Sequence, residues 1–186
     1  MHEAGHALMV LATPLRDYID KVRIFQVGAE WQGEQCMNGC DLDPVDPGRV
    51  LEFAKGLAGP LTHLNFYPNS TAPALRQMIQ ESGGLLRATR AILDNPNLQI
   101  QTNWWPDLEA WRILCLTIKL PDRGKDFLAV ETEIQSFLNT PAVRVVLADI
   151  QQRLLAHSEI NRPELLGIKV DHLPALNFPT HLSIFR

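Results

Sequence analysis

A mainly helical bundle with a small β-hairpin or sheet near the N-terminus is the fold class this sequence predicts, and three observations carry the prediction. From Arg49 onward, apolar residues recur at helical spacings of three and four. Before that point, Lys21–Val27 is rich in branched residues and ends at Gly28, and Trp31–Met37 is a second extended candidate ending at Asn38-Gly39. Prolines and glycine pairs then divide the remaining chain into pieces of helix length. With 186 residues, 46% apolar and 20% charged, the chain suits one compact domain, residues 1–186, with a substantial core.

The elements follow in order. Residues 2 to 13 read as a helix that stops at Thr13-Pro14, because a proline disfavours α geometry in the residue before it. The two extended segments come next. Asp41-Leu-Asp-Pro-Val-Asp-Pro-Gly48 is a connector, too rich in turn formers for anything else, and its three acids are expected in solvent. The helical remainder is expected to break at Gly59-Pro60, Pro68 to Pro73, Ser82-Gly-Gly84, Asp94-Asn-Pro96, Pro106, Pro121 and Thr140-Pro141. Val143, Val146, Leu147, Ile150, Leu154 and Leu155 mark one buried face of a helix running to about His157. There is no internal repeat and no linker long enough to divide the chain.

Charge and cysteine content narrow the partners. Seventeen Lys and Arg against 21 Asp and Glu give a net charge of −4, which supplies no general attraction to phosphate backbones, so no nucleic acid is expected. Three cysteines cannot all pair within the chain, and Cys36 and Cys40 lack a second pair at structural-zinc spacing, which favours a reducing, cytoplasmic setting. The apolar stretch Ala7 to Ala12 has an acidic residue and no Lys or Arg before it, unlike an export signal. No apolar run approaches the roughly 18 to 20 residues that cross a bilayer, so no membrane segment is expected in this chain.

The chemistry concentrates in His2-Glu3-Ala4-Gly5-His6. Positions i and i+4 share one face of a helix, so His2 and His6 can present imidazole nitrogens to a single ion. Glu3 is offset from that pair but can reach a water bound there, where a general base must stand. The ion expected is Zn2+, which lowers the pKa of its water to roughly 7 and polarises a carbonyl. From the chain's own His and Glu frequencies the pattern would arise by chance in about one such sequence in a hundred, which argues against coincidence. Small Ala4, Gly5 and Ala7 fit a helix closely approached by substrate or another helix. A ligand at residue 2 lies in the first helical turn, where backbone donors lack partners, so this site depends on packing or on upstream residues.

The hexapeptide His2-Glu-Ala-Gly-His-Ala7, with the strand Asp20-Lys-Val-Arg-Ile-Phe-Gln-Val-Gly28 after it, resembles the zinc-peptidase region of the FtsH family of ATP-dependent membrane proteases. Gly56-Leu-Ala-Gly-Pro-Leu-Thr-His63 is similar to that family's glycine-rich helix, and Pro106-Asp-Leu-Glu-Ala-Trp-Arg-Ile113 to the segment carrying its aspartate ligand. Arg144-Val-Val-Leu-Ala-Asp-Ile-Gln-Gln-Arg-Leu-Leu155, with Ile160 and Glu164-Leu165, is similar to its closing helix and tail. The resemblance implies a zincin-like peptidase domain, with His2, His6 and Asp107 as metal ligands and Glu3 as catalytic base. It also implies polypeptide substrates and either a homo-oligomer or a separate ATPase partner. The only Gly-Lys pair, Gly124-Lys125, lacks the earlier glycine of a phosphate loop.

The residues themselves leave alternatives open. Asp107 would also serve as a helix N-cap after Pro106. Glu52 and His63 compete for the third ligand position, because residues 52, 56, 59 and 63 share one helix face unless Pro60 splits that helix. Trp104 and Trp105 read as core residues rather than cleft walls, and His157, His172 and His181 as surface or tail residues. The functional alternative to a peptidase is a non-catalytic module that binds partners or assembles, with structural metal or none.

Overall fold

The computed structural model describes residues 1–38, 48–71, 73–94 and 123–177. Helix α1, His2–Leu11, is the centre of the packing: every residue from Ala4 to Leu11 is buried, as expected of a helix apolar on all sides. A 3-10 turn at Pro14–Tyr18 leads into β1, Ile19–Val27, which pairs with β2, Glu30–Met37, as an antiparallel hairpin. The two-residue connection places Gly28 at φ +62 with Ala29 at negative φ, a mirror-image turn whose twist suits a hairpin. Gln26 faces Trp31, Ile24 faces Gly33 and Val22 faces Gln35.

Helix α2 spans Gly48–Phe66, and α3, Pro73–Ser82, and α4, Leu85–Asp94, are separated by Gly83 at φ +73 and Gly84 at φ +145. Helix α5, Arg123–Asn139, and α6, Pro141–His157, meet at Thr140-Pro141, where the proline opens α6 in the first-turn position that needs no N–H. A short strand β3, Glu159–Asn161, and helix α7, Arg162–Leu166, follow. The sheet order is β2-β1-β3, so β2 is an edge strand among the described residues. Helix α1 packs chiefly on α2 and next on α6, and α5 packs on α2. One hydrophobic cluster extends from Ala4 through Leu57, Leu61, Ile134 and Leu147 to Leu165. Among the described residues, no helix is long and apolar enough to cross a membrane.

The architecture agrees with the sequence prediction of a mainly helical chain with a small N-terminal sheet, and it differs at three points. Helix α2 runs unbroken through Pro60. Proline there forfeits one hydrogen bond and costs about 3 kcal/mol, but Leu57 and Leu61 on either side are fully buried at roughly 1.5–3 kcal/mol each. Leu155 is exposed, whereas Val143, Val146, Leu147, Ile150 and Leu154 are buried. One residue past Leu154 the helix has turned about 100°, off the buried stripe. The third strand was not expected, because three residues carry too short a pattern to read.

The carboxyl-terminal segment is tied to the sheet by polar contacts. Asn161 and Glu164 form a reciprocal capping box on α7, and the Arg162 guanidinium donates to the Ile19 and Asp17 carbonyls at 2.5 and 2.9 Å. His157 and His172 are exposed. The Asp41–Pro47 stretch of the connector, Trp104, Trp105, Asp107 and His181 lie outside the described residues.

Candidate metal centre

The first five residues of α1 carry all three residues of the motif, and the neighbouring elements fix their directions. His6 is 6% exposed. Its Nδ1 lies 2.7 Å from the Lys55 carbonyl oxygen of α2. A carbonyl only accepts, so Nδ1 carries a proton, and in the neutral ring the Nε2 lone pair points the other way. That Nε2 lies 3.0 Å from the Nε2 of His2, with the two rings edge to face at 81° and centroids 4.6 Å apart. Two nitrogens bound to one tetrahedral zinc at about 2.0–2.1 Å stand roughly 3.3 Å apart, so the pair needs to open by only a few tenths of an ångström. One ligand atom from each of His2, Glu3 and His6 lies within 4.8 Å of the others.

Glycines allow this crowding. A Cβ at Gly59 of α2 would overlap the His6 ring, and one at Gly5 of α1 would stand 2.6 Å from the Ala58 carbonyl oxygen and 2.8 Å from Thr62 Cβ. The two helices therefore touch through small residues on both sides, and this contact holds His6 against α2. Across the sheet, a Cβ at Gly33 of β2 would overlap the Glu3 side chain, so the strand backbone is the seat of the carboxylate. The sequence reading missed Gly33. Its signal was a glycine inside a strand pattern, which marks a close approach of backbone or ligand.

His2 and Glu3 are partly exposed, so the cluster opens to the surface at the end of α1. Burial pushes the Met1 amine below its ordinary value, against the pull of the Glu3 carboxylate. His63, on α2 one turn beyond Gly59, is also held below its usual value, first by burial and then by the positive charge of His2. The structure thus brings His63 into the field of His2. It does not bring His63 into the ligand-distance cluster, which among the described residues contains His2, Glu3 and His6 alone. The Glu52 side chain and Asp107 lie outside what is described.

Cys36 is not poised as a nucleophile. Its thiol donates to Glu34 Oε1 at 3.1 Å, and this hydrogen bond, with burial, raises its pKa. No family model matches this sequence, and no curated protein sequence matches it.

Proposed function

We propose that the chain is a zinc-dependent metallopeptidase that hydrolyses peptide bonds in unfolded or flexible polypeptides. The observation that carries this reading is the convergence of the His2 and His6 Nε2 atoms, with the far nitrogen of His6 bonded to the Lys55 carbonyl. An outer partner of that kind fixes the tautomer and orientation of a ligating imidazole. The donor set suits zinc, for which two neutral imidazoles, a carboxylate and water are a usual catalytic set. When bound, zinc would supply an acidified water and polarise the scissile carbonyl.

The protein's own residues do the rest. His2 and His6 would hold the ion at the exposed end of α1. Glu3, seated on Gly33, would take a proton from the attacking water on its carboxylate and return it to the leaving amine. The resemblance to the FtsH family supplies Asp107 as the third ligand, and β2 offers an edge along which an extended peptide can add. The substitution Glu3→Gln tests the assignment: bound zinc should be retained while hydrolysis of a flexible peptide falls roughly 10²- to 10⁴-fold. Undiminished activity in that variant removes Glu3 as the base.

A further inference from the structure

The hairpin has two unlike faces. Arg23 and Glu34 pair at 2.7 Å, Lys21 and Glu159 at 3.1 Å, and the Arg23 guanidinium lies 5.3 Å over the Phe25 ring. These residues, with Cys36, occupy the outward face. The strand alternation and register put Val22, Ile24, Met37, Gln35, Gly33 and Trp31 on the other face. That face is the inner one, because Val22 is fully buried, Ile24 and Met37 pack on the core, and Gly33 meets Glu3.

Trp31 is the exception on this inner face. Its side chain stands on the same side as the Gly33 seat of Glu3, two residues away along the strand or about 7 Å, yet it is 63% exposed. The contact of α1 with β2 includes the Glu3 side chain against Gly33. Trp31 lies toward the hairpin turn from that contact, with the uncharged Gln26 directly across. A large, exposed indole thus stands two residues along the strand from the seat of the proposed general base, on the strand along which substrate would run. An extended peptide advances about 3.3 Å per residue, so a side chain one or two residues from the reacting carbonyl falls over the ring.

Resting on the peptidase reading above, we propose that Trp31 is a specificity-determining residue whose indole forms the wall of a subsite for a large apolar side chain next to the scissile bond. The substrate class is therefore unfolded polypeptide carrying Leu- or Phe-like residues near the cleavage point. Such residues are abundant in unfolded chains and hidden in folded ones.

The test uses the full chain and one flexible peptide, varied at each position flanking the cleavage point through Leu, Phe, Lys and Ala. Values of kcat/KM are measured on the wild-type protein, and binding by fluorescence anisotropy on Glu3→Gln. At one flanking position Leu or Phe should be preferred over Ala by about tenfold or more, a discrimination of the size apolar pockets provide. The Trp31→Ala variant should bring that ratio to within about twofold, Trp31→Phe should keep most of it, and zinc content should be the same in all three. Continued cleavage with the ratio unchanged in Trp31→Ala overturns the subsite and leaves the peptidase reading standing. A Lys preference lost in Trp31→Ala overturns the apolar class. Trp31-dependent apolar binding without cleavage in the wild type keeps the subsite and overturns the peptidase. No binding and no cleavage overturns both.

Discussion

His6 illustrates how one residue can depend on contacts from two helices. Its own helix gives it the spacing to His2, while α2 supplies both the Lys55 carbonyl for Nδ1 and the gap at Gly59 for the ring. Gly59→Ala separates these effects by sign. Propensity alone predicts that alanine inside α2 stabilises the protein by about 1 kcal/mol. The overlap with His6 predicts the opposite: a lower unfolding midpoint and zinc affinity reduced about tenfold or more, read by competition titration against a chelating dye. At this scale the sequence was informative where spacing alone carries the chemistry, as at His2, Glu3 and His6. It was silent on the Lys55 carbonyl, because a backbone acceptor leaves no side-chain signature, and the glycine inside the strand at Gly33 marks a close approach without naming Glu3, which lies in a distant segment.

At the scale of elements, α4 is anchored by a residue that pattern reading passes over. Glu131 of α5 is 2% exposed, and its two carboxylate oxygens accept the Leu85 and Leu86 N–H groups at 2.7 and 3.1 Å. A carboxylate at a helix N-terminus satisfies orphan donors and complements the dipole. Gly84, at φ +145, brings the backbone close enough that a Cβ there would stand 3.1 Å from Glu131 Oε1. Glu131→Gln removes the charge and turns one acceptor into a donor facing an N–H, so it should destabilise the chain by about 1–3 kcal/mol in urea unfolding. A change within about 0.5 kcal/mol would mean that the cap contributes little. In the sequence, Glu131 stands in Glu-Thr-Glu, which resembles a solvated helix face. Its role depends on a helix start some 46 positions earlier, which no local window contains. Pro60 is the converse case, a local breaker overridden by the buried leucines on either side of it.

At the scale of the whole molecule, the site sits at the surface end of a helix whose remaining length is core. Anything that loosens the packing of α1 on α2 and α6 therefore reaches the proposed ligands directly. On the proposed reading an extended chain would add along β2, which is an edge strand among the described residues, and a stable folded domain cannot present one without unfolding first. With no phosphate-loop motif in the sequence, the chain is expected to cleave a casein-like unstructured substrate without ATP and to spare a stable folded protein. ATP-dependent cleavage by the pure chain would contradict that expectation, and cleavage insensitive to a zinc chelator would point to a contaminating protease.

Metal content tests the central claim most directly. Elemental analysis of the chain, purified without chelator, should find about one zinc per molecule in the wild type and almost none once His2 and His6 are both replaced by alanine. A wild-type protein that contains no transition metal and takes none up on titration would contradict the account.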